Sequence, residues 1–299
     1  MESLELLRRR IEAFDDLAGI VRTMKSLAAV SIRQYERAVQ SLAPYYRTVE
    51  LGLHVALRDL PPELPGRKPG TLTAVVFGSD HGLCGRFNED MADYVRERLA
   101  EAAGAGEAPR LMAVGARVAS LLENAHLAVE EDMAVPGSAG HITSTVRRIL
   151  LKVDAWENEA AAQRLYLFHN RPLSGSRYHP TGVQILPVNA HRFHRLEEQR
   201  WPSRSLPSYT MERDQLLAAL LRQYFFVSIF RAAAESLAAE NASRLAAMQA
   251  AEKNIADRHE DLLGEFRRQR QDAITAELLD IVSGYEASQP QDMESGSSS

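Results

Sequence analysis

Two long terminal helices wound antiparallel as a coiled coil, with a small α/β domain inserted between them, is the fold class this sequence predicts. Three observations carry the prediction. Apolar residues recur at alternating steps of three and four from Leu4 to Leu42, the spacing of a coiled-coil seam. From Tyr209 to about Tyr285 the chain has no proline and is dominated by alanine and leucine. Between these ends, short β-branched runs alternate with amphipathic segments.

The first seam reads Leu4, Leu7, Ile11, Phe14, Ala18, Val21, Lys25, Ala28, Ile32, Tyr35, Val39 and Leu42, and only Lys25 interrupts it. Pro44 lacks a backbone donor and clashes with the preceding turn. The expectation is therefore a kink or break there, with helix resuming through about Leu57. Residues 59–70, DLPPELPGRKPG, read as a linker and a domain boundary. In residues 71–190, TLTAVVFGS, RLMAVGA (Arg110 to Ala116), RLYLFHN (Arg164 to Asn170) and GVQILPV (Gly182 to Val188) each have the form of a strand. Helices are expected at Asn88–Ala103, Ala116–Asn124 and Gly140–Asn158. Strands alternating with helices predict a small Rossmann-like α/β domain with a partly parallel sheet. A second linker falls at Trp201 to Ser208. In the last helix, Met248, Ile255 and Leu262 lie seven apart with Leu245 and Phe266 beside them. Gly264 in that seam predicts a close helix contact or a point of give. Residues 286–299 are polar and small, the composition of a disordered tail.

Net charge is −5, too weakly biased for nucleic-acid binding by the chain as a whole. One cysteine, Cys84, leaves no internal disulfide and fits a reducing compartment. The start MESLELLRRR lacks the form of a signal peptide. Uninterrupted apolar runs such as Leu216 to Leu221 fall far short of the roughly 20 residues that span a bilayer. A cytoplasmic, soluble chain follows, with any membrane association made through partners.

Chemistry-bearing motifs are few. GSDHGLCGRFN (Gly78 to Asn88) follows the first strand and opens a helix. Its glycines invite a phosphate-loop reading, but it has neither GxGxxG nor a G-K-[ST] pair. A tight strand-to-helix turn formed by Asp80, His81 and a packed Cys84 is the favoured reading, with Cys84 as a nucleophile the competing one. HRFH (His191 to His194) and His179 lack a third clear metal ligand. No catalytic residue, cofactor or metal site is assigned. Between Ala18 and Thr48, Arg22, Lys25, Arg33, Arg37 and Arg47 face a single acid, Glu36, and Arg267, Arg268 and Arg270 cluster on the far helix. Such runs are either a solubilising face or a basic surface for acidic loops of a partner.

Four ordered motifs resemble the gamma subunit of F-type ATP synthases over nearly the whole chain. RRRIEAF and TMKSLAA are similar to the family's R-R-I-x-S and A-M-x-M-V-A-A. GSDHGLCGRFN is similar to S-D-R-G-L-C-G-x-x-N, with His81 in place of the arginine. AAAESLAAENASRLAAMQAAEKN and RQDAITAELLDIVSG (Arg270 to Gly284) resemble the family's C-terminal helix, with RLAAM where the family has R-M-x-A-M. The departures are those of a divergent branch, the alternate sodium-type enzymes being one reading.

The resemblance implies a non-catalytic rotor shaft. It would turn inside a ring of alpha and beta subunits and bind the epsilon subunit and the membrane c-ring through the α/β domain. It would couple ion translocation to ATP synthesis or hydrolysis as a peripheral protein on the cytoplasmic face of the bacterial inner membrane. Arg270 and Gln271 match the pair contacting a beta-subunit catch loop, and Met24 and Lys25 match the facing stretch of the first helix. Ile274, Leu278 and Ile281 would form an apolar bearing tip. Two other classes stay open on the residues alone: a small α/β enzyme with helical dimerisation arms, and an unrelated coiled-coil tether.

Overall fold

The structure, a computed structural model, describes residues 4–57, 71–102, 108–159, 164–188 and 207–288. In chain order these form α1 (Leu4–Leu57), β1 (Leu72–Phe77), α2 (Phe87–Ala102), β2 (Arg110–Val114), α3 (Ala116–Asn124), β3 (Val129–Met133), α4 (Ile142–Asn158), β4 (Arg164–Pro172), β5 (Tyr178–Leu186) and α5 (Arg213–Ser288). A single 3-10 turn, Ala139–His141, leads into α4.

The two end helices span 54 and 76 residues. The longer would extend about 115 Å at ~1.5 Å per residue. Pro44 does not end α1. Both Pro44 and Gln40, whose carbonyl loses its donor, are exposed, so water can take the missing bond, and the Thr48 hydroxyl donates to the Pro44 carbonyl at 3.0 Å. Every position of the predicted α1 seam is buried or half-buried. Off-seam Leu17, Ile20, Leu27 and Val30 are exposed. In α5 Met248 and Leu262 are buried and Ile255 half-buried, as their spacing predicts. Open space surrounds Gly264, which overturns the expectation of a close helix contact there. Helix α5 continues to Ser288, into the stretch expected to be tail. The rest of that tail, the linker at 59–70, His191 to His194, and most of the second linker including Pro202 lie outside the described residues.

The sheet has the order β3-β2-β1-β4-β5. The pairs β1–β2, β1–β4 and β2–β3 are parallel, and β4–β5 is antiparallel. Alternation along β1 divides its side chains between two cores. Leu72, Ala74 and Val76 join Met91, Val95, Val118 and Leu122 of α2 and α3 on one face. On the other, Val75 and Phe77 meet Val146, Ile149 and Trp156 of α4, together with Leu53 and Leu57 of α1 and Ile229 and Ala233 of α5. Full burial of Leu53 and Leu57 is worth ~1.5–3 kcal/mol each.

Strand β3 is the element absent from the sequence reading. VEEDM is acidic and lies at a sheet edge, where charged side chains guard unpaired backbone. Glu130 bonds the Arg110 guanidinium at 2.7 Å and the Trp156 indole N–H at 2.7 Å. Strand β5 is the opposite edge and starts earlier than expected, tolerating Pro180 because an edge strand can lack a donor.

Contacts group the chain into two units, Met1–Thr23 with Gln249–Ser299, and Met24–Met248. In the larger unit α1 and α5 run antiparallel. Gly52 faces Leu220, and the Tyr45 hydroxyl reaches Gln223 at 2.8 Å. In the smaller, His259 lies 3.2 Å from Asp15. One eighteen-residue window of α5 has a mean hydropathy of 1.4, apolar enough to cross a membrane by composition alone. Of that window 28% is buried in the protein, and Tyr224, Val227, Ile229, Ala232 and Ala233 are among the buried residues of this helix.

Candidate functional site

The loop between β1 and α2 is built around Ser79 and Asn88. The Ser79 N–H donates to Asn88 Oδ1 at 2.9 Å, and Asn88 Nδ2 donates to Ser79 Oγ at 2.8 Å. Asp80 accepts from the Ala116 N–H at 3.1 Å, opening α3, and from the Val135 N–H at 3.1 Å. One carboxylate thus satisfies the first turn of a helix and a neighbouring loop. Leu83 and Gly85 both have positive φ of 62°, which turns Cys84 inward while Leu83 points to solvent.

Cys84 packs against Phe87, Ala239 and Tyr178. Its carbonyl accepts the Ser243 hydroxyl at 2.6 Å, pinning the loop onto α5. Burial pushes the Cys84 thiol up, despite the hydrogen bond from Ser79, which opposes thiolate chemistry. The thiol reaches the His81 carbonyl, whereas His81 itself is exposed. The arrangement is the packed structural turn and offers no nucleophile–base pair. His179 is exposed on β5, and among the described residues no group of three or more His, Cys, Asp or Glu could hold a metal.

A second constellation, missed from sequence, joins the sheet to α5. His169 on β4 and Glu235 on α5 are both buried, with Nε2 and Oε2 3.0 Å apart. Arg231 Nε donates to Glu235 Oε1 at 2.7 Å and lies over the Tyr46 ring at 5.8 Å. Desolvation pushes the Glu235 carboxyl up, but hydrogen bonds and charge from His169 and Arg231 outweigh it, lowering it from 4.5 to about 2. Five residues on, buried Glu240 pairs with Arg244 at 2.7 Å. There desolvation dominates and raises the carboxyl, despite Arg244. Two acids set among alanines in AAAESLAAENAS were the available signal, since small neighbours allow the sheet to approach the helix closely.

A pH prediction follows for Glu235. Its folded value lies below the unfolded one, so its contribution is fully present above about pH 4.5 and lost as pH falls towards 2. Glu235→Gln should remove on the order of 3 kcal/mol at neutral pH and flatten that acid limb of stability. Chemical unfolding of both proteins between pH 2 and 7 tests this. Parallel curves across that window would sink the assignment.

The residues matched to partner contacts fall in two places. Arg270, Gln271, Ile274, Leu278 and Ile281 are all exposed on the last stretch of α5. They belong to the smaller unit, whereas Met24 and Lys25 are half-buried in the larger. Lys25 is engaged by other groups. Leu279 and Val282 are exposed beside the three predicted tip residues, so the apolar surface runs wider than the sequence reading set it.

Comparison with known proteins bears directly on this arrangement. A family model described as ATP synthase matches residues 3–287. The chain is 31% identical over 296 residues to the ATP synthase gamma chain of Syntrophus aciditrophicus (strain SB), covering 96% of this chain and 99% of that one. To the ATP synthase gamma chain of Magnetococcus marinus it is 30% identical over 298 residues, with 96% and 99% covered. In fold it is similar to a chain from the rotor of the Euglena gracilis mitochondrial ATP synthase, with a TM-score of 0.63 at 16% identity, covering 91% of this chain and 98% of that one.

Proposed function

This chain belongs to the ATP synthase gamma-chain family, and on that premise we propose how its surfaces are used. It is a rotor-stalk subunit of ATP synthase. It is non-catalytic, and the complex carries the activity. Within that role, the exposed end of α5 turns inside a ring of alpha and beta subunits, and the α/β domain meets the epsilon subunit and the membrane c-ring. The assembly places the chain peripherally on the cytoplasmic face of a bacterial inner membrane.

The observation that carries this reading is the outward apolar surface. Ile274, Leu278, Leu279, Ile281 and Val282 are 48–63% exposed, and a contiguous surface of that kind marks a protein contact. Apolar contact is non-directional, so a tip of this type keeps its favourable burial as it turns against a sleeve. Charged and amide groups act differently, because their hydrogen bonds require one orientation. Arg270 and Gln271, one turn before the tip, would therefore catch a partner loop at some angles and release it at others. Met24 and Lys25 supply the corresponding contact from α1. His81, exposed where the family carries arginine, offers a partner a weaker fixed charge.

Reconstitution tests the shaft. Alpha and beta subunits mixed with this chain should assemble in a 3:3:1 ratio, a stoichiometry inferred from the family resemblance. Such complexes should hydrolyse ATP at least about tenfold faster than subunits without it, a difference of roughly 1.4 kcal/mol in the barrier. Equal assembly and turnover without the chain would defeat the proposal.

A further inference from the structure

Between the β4–β5 pair and the long helices lies a cavity of about 200 Å³, and the shaft role makes no use of it. Its walls include His169 and Arg171 of β4, Tyr46 of α1, and Ser228, Arg231 and Glu235 of α5. At this size it falls below the roughly 300–1,000 Å³ typical of sites for drug-sized ligands, yet it exceeds the ~30 Å³ share of one water.

The polar groups of this cavity are unevenly matched. Both oxygens of Glu235 are taken, one by Arg231 and the other by His169. That pairing accounts for the charge of Arg231 and leaves that of Arg171, which has no ion-pair partner among the described residues. His169 is only 5% exposed, and its Nδ1 is buried with no hydrogen-bond partner in the protein. Because Nε2 faces a carboxylate, that nitrogen carries a proton, so Nδ1 accepts when the ring is neutral and donates when it is protonated. A fitting guest must carry negative charge for Arg171 and serve His169 Nδ1 in both states, with an O–H for the neutral ring and a charged oxygen for the protonated one. Chloride lacks the donor, and a carboxylate lacks it once ionised. Phosphate has both, since at neutral pH it keeps at least one O–H beside its charged oxygens.

We propose that this cavity binds a single inorganic phosphate ion. Arg171 and the Ser228 hydroxyl donate to its oxygens, and its O–H donates to Nδ1 of the neutral His169 ring. Arg231, held over Tyr46, adds its remaining N–H groups. The bound ion would tie the antiparallel end of the sheet to α5 beside the His169–Glu235 contact.

Titrating the full chain with inorganic phosphate, followed by calorimetry and by the imidazole resonances of His169, tests the site. Saturable binding at one site is expected, with sulfate, which has no O–H at neutral pH, binding more weakly. ADP should fail to compete, because the cavity is too small for a nucleotide. Arg171 is exposed and makes no ion pair among the described residues, so Arg171→Gln should fold as the parent does, by circular dichroism, and bind about ten- to a hundredfold more weakly. No saturable binding at tens of millimolar phosphate, or equal affinity in Arg171→Gln, overturns the proposal. Sulfate binding as tightly as phosphate overturns the part assigned to His169.

Discussion

Gly115→Ala should lower the unfolding free energy by about 3 kcal/mol or more, because overpacking and backbone strain each cost ~1–3 kcal/mol. Gly115 sits between β2 and α3 at φ 125°, a left-handed conformation that side chains other than hydrogen rarely adopt. A Cβ there would lie 2.7 Å from the Ser79 carbonyl oxygen and 2.8 Å from the Ser79 N and C. Ser79 cannot readily move aside, since Asn88 holds both its N–H and its hydroxyl, and its carbonyl accepts the Arg117 N–H at 3.0 Å. The strain would pass to Asp80 and Cys84, and so to the hydrogen bond with Ser243 that pins the loop on α5. Gly82 in the same loop has nothing within 4 Å of its would-be Cβ and no positive φ. Gly82→Ala should therefore stay within about 0.5 kcal/mol of the parent. Urea unfolding of the three proteins decides the matter, and a Gly115→Ala midpoint no lower than that of Gly82→Ala would contradict the strain argument.

The same loop shows what could be read from the chain alone and what could not. Periodicity located α1 and α5 because a long amphipathic helix repeats its signal many times, and each added turn reinforces the seam. Strands β1 and β2 were legible because a buried parallel strand is a short continuous apolar run between turns. Strand β3 gave no such signal. Its Glu130 and Glu131 are explained by Arg110, Trp156 and Lys152, partners 20 or more residues distant that no local pattern reveals. Pro44 does not break α1, for a related reason. The rule that proline breaks a helix assumes the freed carbonyl has no other donor, and at an exposed turn water can supply one. The His169–Glu235–Arg231 group was hidden because its members are 66 residues apart in the case of the first pair, and buried polar pairing is a tertiary property. By contrast, Arg270 and Gln271 were singled out by motif resemblance alone, and both are exposed.

Charge reversal at Arg270 should therefore separate a surface arginine from a working contact. Arg270 is exposed and has no ion pair among the described residues, so Arg270→Glu should leave the fold and melting temperature of the isolated chain nearly unchanged. In the assembled complex the proposed catch-loop contact would bury this charge against a partner acceptor. Reversal there places like charge on like in a desolvated site, and truncating one side of such a pair already costs ~2–5 kcal/mol. ATP-driven turnover and coupling should then fall by about 30-fold or more. Arg98 on α2 is the matched control. It is also exposed and pairs locally with Glu101 at 2.6 Å, a contact between exposed groups worth little. Arg98→Glu should change coupling by less than about twofold. The comparison uses paired measurements of hydrolysis and ion pumping on complexes carrying each variant, with assembly checked by co-purification. Equal losses in the two variants, or full coupling in Arg270→Glu, would remove Arg270 from the contact. In that case the exposed apolar residues beyond it would have to set the angular preference alone, although non-directional burial gives no reason to favour one rotor angle over another.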